Sequence, residues 1–406
     1  MAAPAGSHEV ADEQMKTLQL WKLLFSFGIA GIFIITILSS AERLEGINPQ
    51  ADKWQTITGD WREPCQAESF LRQILEKPKT TALSVAVVQG SQVVFQKSIG
   101  IVDNETKKPV DEHTVFRTAS LSKPVFAYLV MKFVDEGGLD PDKPLYQYLE
   151  SPLYEYPDFI DLKSDERYKL LTARILLSHT SGFPNWRRRR LNFEFTPGEK
   201  FKYSGEGYYL LQFILEKMTE KDLNQLAEEK VFSPLGMRQS SFLWERRFEG
   251  HLAVDLNTGL RRKIMRTRER ANSAASLLTN TADYAKFLLA VMNGKGLKPE
   301  THKMMLKSHI KITSKSLHAP QDTDPKIQET MNLSWALGWG RFRFPKGEAI
   351  FHVGREEGCD NYAVIFLDQK IGIVLQSVTP VSQSVAPGIV KEFIGDIYSP
   401  FSWLSY

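Results

Sequence analysis

The sequence predicts an α/β fold of the α+β type, in which an antiparallel β-sheet is flanked by helices and carries an inserted helical lobe. Two runs rich in β-branched residues, Leu83 to Gln96 and Asn361 to Ser377, each surround a short turn and are typical of β-hairpins. They lie near opposite ends of the predicted domain, and the sequence between them is mostly helical in pattern. We therefore expect both hairpins to join one sheet, covered by a closing helix from Val385 to Tyr398.

The composition excludes several classes of protein. With 42% hydrophobic residues among 406, the chain has enough apolar material for a core, so wholesale disorder is excluded. The net charge of +3 gives no single-sign field of the kind that nucleic-acid binding uses, and we expect no nucleic-acid partner. Two cysteines, Cys65 and Cys359, cannot form a disulfide framework, and without CxxC or HExxH motifs no metal site is expected. Whether these two cysteines pair is open.

Residues 23–41 carry no charge and are dense in Leu, Phe and Ile. As a helix, roughly 19 residues would span about 28 Å, close to the thickness of a bilayer's hydrocarbon core. We predict a single-pass membrane anchor, with a cleaved signal peptide and a buried core helix as alternatives. The predicted organisation is a tail (1–22), the membrane segment (23–41), a tether (42–65) and one globular domain (66–400), placed outside the cytoplasm or secreted.

Ser120 and Lys123 form a Ser-x-x-Lys pair at the predicted start of a helix. Apolar residues follow at helical spacing as far as Phe133, predicting a helix buried on one face, and Gly137 and Gly138 end it. Residues three apart share a helix face, so the Lys123 amine can reach the Ser120 hydroxyl and take its proton if burial lowers the amine's pKa. The same spacing recurs at Ser308 and Lys311, where no sustained buried helix follows. Spacing alone therefore does not establish a catalytic role.

Two further segments contain candidate residues. Tyr203 lies in a Gly-rich loop before a predicted helix, where a nearby cation would favour its phenolate and let it shuttle protons. Simple packing is the alternative. His352 lies on a probable strand before the last hairpin, where a structural role is the more frequent one for a lone histidine. A run of four arginines, Arg187 to Arg190, is expected to be a solvated loop.

These motifs resemble those of the serine β-lactamase and penicillin-binding protein superfamily. The resemblance is greatest to the class C β-lactamase-related branch, which includes esterases, D-stereospecific peptidases and D-alanyl-D-alanine carboxypeptidases. It rests on three motifs in order, Ser120-x-x-Lys123, Tyr203-Ser204-Gly205 and His352-Val353-Gly354, and on a segment from Leu177 to Pro184 that is similar to the family's LLSHTSGLP. It covers residues 66–398 approximately and implies a β-lactamase-like fold.

The resemblance also implies the roles of individual residues. Ser120 would attack an ester or amide carbonyl and become acylated, Lys123 would assist its deprotonation, and Tyr203 would relay protons to the leaving group and to water. The oxyanion would lie between the backbone amides of Ser120 and Arg355. Further substrate contacts are expected from His352, Gly354 and Gly205. No metal or cofactor is needed.

Two positions depart from the β-lactamase members of the family. Gly205 stands where they have an asparagine that contacts the substrate's acylamide, and His352 stands where they have a lysine. A histidine would be a weaker and pH-dependent partner for a substrate carboxylate. Both changes favour the esterase and peptidase relatives.

We therefore predict a membrane-anchored serine hydrolase acting on a small ester, amide or peptide. Carboxylesterase or amidase action ranks first, trimming of D-peptides second and β-lactam hydrolysis third. The alternatives from other classes are a non-catalytic, penicillin-type ligand-binding protein and a membrane-bound scaffold. The sequence does not predict an oligomeric state.

Overall fold

The computed structural model of the protein describes residues 51–76, 80–102, 106–253, 270–319, 331–379 and 384–406. The predicted membrane segment, 23–41, lies outside these ranges, as do the tail and the first part of the predicted tether. Within the described ranges, no helix has the length and apolar character needed to cross a bilayer.

The described residues form thirteen β-strands and nine α-helices. The strands are β1 (Trp54–Gln55), β2 (Trp61–Arg62), β3 (Ala82–Gln89), β4 (Gln92–Gly100), β5 (Val115–Arg117), β6 (Leu252–Ala253), β7 (Leu278–Thr279), β8 (Ile310–Lys311), β9 (Ser334–Trp335), β10 (Gly340–Phe344), β11 (Gly347–Glu356), β12 (Cys359–Phe366) and β13 (Ile371–Val378). The α-helices are α1 (Pro64–Leu75), α2 (Ser122–Asp135), α3 (Ala173–Leu177), α4 (Gly205–Thr219), α5 (Leu223–Ala227), α6 (Ser233–Leu235), α7 (Thr281–Asn293), α8 (Pro299–Leu306) and α9 (Ala386–Ile394).

The main sheet joins the two ends of the domain, as predicted. Its eight described strands run in the order β4-β3-β13-β12-β11-β10-β9-β8, and every neighbouring pair is antiparallel. The two predicted hairpins are β3–β4 and β12–β13, and they meet where β13 pairs with β3, from Ile371 opposite Gln89 to Val378 opposite Ala82. A smaller sheet, ordered β6-β5-β7, lies beside the start of α2.

Helices cover both faces of this sheet. On β3, Val85 and Val87 belong to the apolar cluster that contains α1 and α9, whereas Ala86 and Val88 belong to the cluster of the helical lobe. Successive side chains of a strand point to opposite faces, so an unbroken apolar run is what a strand covered on both sides requires. Helix α7 is tied to the lobe-side face by a hydrogen bond of 2.7 Å between the side chains of Thr281 and Gln376.

The lobe is built around α2, which is more deeply buried than predicted. Its apolar spacing predicts one buried face, but every residue from Ser122 to Met131 is buried. The helix ends at Asp135, and Gly137 follows in the left-handed region with φ of +74°. A helix surrounded on all sides gives the residues at its first turn a dry, fixed environment.

The predicted tether is partly structured, which differs from the sequence analysis. Trp54 is 1% exposed, its indole nitrogen donates to the carbonyl of Phe393 at 2.8 Å, and its ring packs on Phe95 at 5.2 Å. Residues 54–62 form the β1–β2 hairpin, and α1 begins at Pro64. The hairpin escapes a search for periodicity because its strands have two residues each and its anchors are distant in sequence.

The predicted closing helix is helix α9. Helix α9 covers 386–394, shorter than the predicted 385–398, because Gly395 adopts a φ of +71° and ends the helix.

Cys65 is exposed, Cys359 is buried, and both are free thiols, so the two do not pair.

Candidate active site

Ser120 lies in a tight turn directly before α2. A one-turn 3₁₀-helix, Ala119–Leu121, precedes the α-helix, and Ala119 is held in the left-handed region with φ of +46°. This conformation costs a non-glycine residue roughly 1 kcal/mol. The buried Ser122 stabilises the turn, since its hydroxyl donates to the Ala119 carbonyl at 2.6 Å and accepts from the backbone of Leu277 at 3.0 Å. The turn leaves Ser120 partly exposed between buried neighbours.

The amine of Lys123 contacts the hydroxyl of Ser120, as the three-residue spacing predicts. Nζ lies 3.0 Å from Oγ and donates to the carbonyl of Ala274 at 2.9 Å. Lys123 is fully buried, and this burial lowers its pKa to about 7, against a smaller opposing effect of Glu356. Near neutral pH the amine therefore spends much of its time uncharged and able to accept a proton.

Tyr203 lies beside the pair, but as a neutral phenol. Nζ of Lys123 lies over the face of its ring, 4.7 Å from the ring centroid. Burial raises the pKa of Tyr203 well above its usual value, although the neighbouring Ser120 hydroxyl acts in the opposite direction. The expectation that Tyr203 is a phenolate is therefore wrong. The hydroxyl is buried and has no hydrogen-bond partner in the described part of the chain.

Strand β11 approaches the nucleophile turn closely because it carries Gly354. A Cβ atom at this position would lie 2.1 Å from the carbonyl oxygen of Thr118 and 3.0 Å from the backbone nitrogen of Leu121. The buried Asn361 links the two segments, since its amide donates to the carbonyls of Arg117 at 3.0 Å and Gly354 at 2.9 Å. Only glycine allows this contact, which brings the backbone of β11 alongside Ser120.

The side chain of Arg355 turns away from the turn toward the carboxyl-terminal residues. Its guanidinium donates to the carbonyl of Leu404 at 3.0 Å, pairs with Asp360 at 3.3 Å and lies over the ring of Tyr406 at 4.1 Å. The side chain of Arg355 is thus engaged away from Ser120, and the role of its backbone amide at the oxyanion stays a prediction.

His352 is buried and uncharged. Burial, helped by the nearby Lys123, lowers its pKa to about 3. Its Nδ1 lies 2.8 Å from the carbonyl of Val353 and must donate to it, so Nε2 is an acceptor. The expectation of a pH-dependent partner for a substrate carboxylate is wrong in the neutral range, because the imidazole cannot carry a charge there.

Three residues that the sequence analysis did not assign to the site lie against Tyr203, among them His318, whose ring centroid is 5.4 Å away. The ring of His179 is 4.3 Å from that of Tyr203, and its Nδ1 accepts the backbone N–H of Ser204 at 3.1 Å. Its remaining proton is therefore on Nε2, and burial holds its pKa well below the usual value. Trp335 contacts both rings, with centroids 5.1 and 5.9 Å away. The Leu177 to Pro184 segment pointed to His179, but no local signal distinguishes Trp335.

Together, His179, Tyr203, Trp335 and His352 form what we call the ring cluster. Each has a buried polar atom without a hydrogen-bond partner among the described residues: Nε2 of His179, the Tyr203 hydroxyl, Nε1 of Trp335 and Nε2 of His352. An unpaired buried polar group costs about 1–3 kcal/mol. The ring cluster thus presents donors and acceptors, none of them charged at neutral pH, beside Ser120 and Lys123.

Gly205 begins α4 and leaves no room for a side chain. A Cβ there would lie 2.8 Å from the carbonyl oxygen of Asn185 and 2.8 Å from the indole of Trp186. Arg187, expected in a solvated loop, instead pairs with the buried Glu206 at 2.6 Å, whereas Arg188 to Arg190 are exposed. Over the described ranges, no three His, Cys, Asp or Glu side chains gather as ligands for a metal ion.

The antiparallel sheet flanked by helices, with a Ser-x-x-Lys turn before the central helix, defines the β-lactamase-like class of folds. Solved structures agree. A class C β-lactamase superposes with a TM-score of 0.64 at 16% identity, covering 82% of this chain and 96% of its own. The D-alanine carboxypeptidase AmpC from Burkholderia cenocepacia gives 0.64 at 17% identity, covering 82% and 98%. At these identities the likeness shows the fold alone.

The sequence comparisons are more specific. Residues 67–388 match the model of the Beta-lactamase family, and the chain belongs to that family. Esterase EstB of Burkholderia gladioli is 27% identical over 206 residues, 43% of this chain and 50% of the esterase. Protein flp of Staphylococcus aureus strain MW2 is 21% identical over 341 residues, 79% of this chain and 63% of flp. The chain therefore matches half of the length of the esterase and less than two thirds of the length of flp.

Proposed function

We propose that the protein is a serine hydrolase that forms an acyl-enzyme on Ser120 and acts on esters or amides whose reacting part is uncharged. The observation that carries this proposal is the 3.0 Å contact between Nζ of Lys123 and Oγ of Ser120, at an amine whose burial brings its pKa to about 7. A base with a pKa near the working pH is both available and strong enough to take the hydroxyl proton.

In the proposed reaction, Oγ of Ser120 attacks the substrate carbonyl while its proton passes to the neutral amine of Lys123. The resulting oxyanion is stabilised by the backbone N–H groups of Ser120 and Arg355. When the bond to the leaving group breaks, the phenol of Tyr203 supplies the leaving group's proton, and the proton held on Lys123 replaces it. Water then attacks the acyl-enzyme carbonyl and gives its proton to the neutral amine of Lys123. The bond between the carbonyl carbon and Oγ of Ser120 breaks, the proton passes from Lys123 to Oγ, and the acid is released.

The ring cluster supports an uncharged substrate. Its unpaired donors and acceptors can satisfy the carbonyl, amide or hydroxyl groups of a neutral molecule. Among the described residues, a carboxylate placed there would find no cation besides Lys123, because His352 is neutral, burial lowers the pKa of His318, and Arg355 turns away. This favours esterase or amidase action over carboxypeptidase or β-lactamase action, whose substrates bring a carboxylate. A non-catalytic binding protein would have no need of a buried base.

We also propose that residues 23–41 anchor the protein in a membrane with the hydrolase domain outside the cytoplasm. The support is the uncharged length of that segment. In the native host, the full-length protein should remain in the membrane fraction after carbonate washing, and protease added outside the cytoplasm should cleave it. Recovery of a shortened protein from the medium would favour a cleaved signal instead.

The hydrolase proposal is tested with a fluorophosphonate probe and mass spectrometry. We expect an adduct on Ser120 that is lost in Ser120→Ala and retained in Ser308→Ala, the matched control with the same spacing to a lysine. No adduct anywhere between about pH 6 and 9 would favour the binding protein.

The substrate class is tested with two esters of one dicarboxylic acid. The dimethyl ester should have a kcat/KM at least about tenfold above that of the monomethyl ester, because the second molecule brings an unpaired charge. Equal values would remove the argument from the ring cluster and leave the Ser120 mechanism intact.

A further inference from the structure

Trp186 is a large exposed aromatic residue beside the loop that carries Tyr203. Its side chain is 45% exposed, and the rings of the described residues form no aromatic pair with it. Its indole lies in the space where a side chain at position 205 would begin, since Cη2 and Cζ2 of the ring are both 2.8 Å from the Cβ position of Gly205. One part of the indole therefore rests on the start of α4, and much of the rest faces solvent.

The backbone on both sides of Trp186 is fixed. The carbonyl of Asn185 accepts the N–H groups of Gly205 at 2.9 Å and Glu206 at 3.1 Å. On the other side, Arg187 donates twice from its guanidinium to the Glu206 carboxylate, at 2.9 and 2.6 Å, and once to the carbonyl of Asp158. An aromatic side chain held in this way loses little conformational freedom when it binds a ligand.

The indole also lies near the segment that carries Tyr203. Gly205 follows Tyr203 by two residues, so their Cα atoms are at most about 7 Å apart, and the ring of Tyr203 lies under the amine that contacts Ser120. The indole therefore lies beside the start of α4, two residues along the chain from Tyr203.

We propose that Trp186 is a specificity-determining residue that binds an aromatic group of the substrate by stacking. This inference rests on the proposed hydrolase function and narrows its substrate class to esters or amides that carry an aromatic ring on the acyl or the leaving side. The contact adds binding energy for the ring and leaves the chemistry at Ser120 unchanged.

The test compares kcat/KM of the full-length protein for methyl acetate, methyl phenylacetate and phenyl acetate, which place the ring on neither side, the acyl side or the leaving side. Trp186→Ala should lower the value for at least one aromatic ester by about two- to tenfold relative to methyl acetate. Trp186→Phe should retain most of the preference. Trp61→Ala, which removes another exposed tryptophan from β2, is the matched control and should change no ratio.

The outcomes separate the two proposals. A loss of stability in Trp186→Ala would lower all three values together and leave their ratios unchanged. Unchanged ratios on both the acyl and the leaving side would overturn the role of Trp186 while leaving Ser120-dependent hydrolysis in place. If the wild-type protein hydrolyses none of the esters, or if Ser120→Ala hydrolyses them equally well, the proposed function fails and this inference fails with it.

Discussion

The chain contains two serines with a lysine three residues further on, and their surroundings differ completely. Ser120 and Lys123 lie at the start of the buried helix α2, and their side chains are in hydrogen-bond contact. Ser308 lies between the end of α8 and strand β8, Lys311 is the last residue of β8, and both are exposed. Residues three apart share a face in a helix but not in a strand, so the second pair has no geometric reason to meet.

The comparison shows that the reactivity of the first pair depends on burial. The same amine that costs free energy to bury becomes a base near neutral pH because it has lost its hydration. The surrounding rings of Tyr203 and Tyr208 lie 4.7 and 5.7 Å from Nζ and offer partial compensation through their faces. The spacing is common, but a fully buried lysine is not.

The largest expected effect is on acylation. Lys123→Met should slow the reaction of Ser120 with a fluorophosphonate by roughly two to four orders of magnitude, because the hydroxyl loses its base. Lys311→Met, the matched change in the exposed pair, should leave the rate within about twofold. The rates are measured by quenching the labelling reaction at a series of times and quantifying the Ser120 adduct by mass spectrometry. A normal rate in Lys123→Met would exclude this lysine from the mechanism.

The second prediction concerns stability. The pKa of Lys123 is about 7 in the folded protein and 10.5 as its ordinary value, so below about pH 7 both states bind the proton and the folded state bears the full cost of a buried charge. As the pH rises from 7 to 10.5, only the unfolded state still holds the proton, and the wild-type protein becomes more stable. Lys123→Met removes this cost.

Urea unfolding measures this effect. Lys123→Met should raise the free energy of unfolding at about pH 6.5 by a few kcal/mol, and the gain should shrink toward zero by about pH 10. Lys311→Met should show neither change. A variant less stable than the wild type at the lower pH would mean that the buried amine is held by favourable contacts that outweigh its desolvation.

Much of the fold could be predicted from local patterns. The runs of β-branched residues around short turns predict the hairpins β3–β4 and β12–β13. Their positions at the two ends of the domain, with helical sequence between them, predict that they join one sheet. The β1–β2 hairpin could not be found in this way, because the burial of Trp54 depends on Phe95 and on Phe393, which is 339 residues away. Patterns within a short window contain no information about such partners.

In the candidate site, too, features that depend on local sequence could be predicted and features that depend on distant segments could not. The contact between Ser120 and Lys123 follows from helix geometry, and the placement of Gly354 follows from the resemblance. The charge states of Tyr203 and His352 were wrong, because both depend on burial by residues from other segments. Trp335 was missed for a related reason: it is distant in sequence from Tyr203, and only the folded sheet brings its strand, β9, beside the site.

The smallest expected effect is the pH dependence of acylation, and it identifies the titrating group. Because the reactive form of Lys123 is the neutral amine, the acylation rate should rise about tenfold per pH unit below pH 7 and level off above it. His352 adds no step in this range, since its pKa lies near 3. Fluorophosphonate rates measured from about pH 5 to 9 should give the same profile in the wild type and in Lys311→Met. A flat profile would show that the proton of Ser120 leaves by another route, and a second step near pH 6 would reveal an imidazole that is less buried than either His179 or His352.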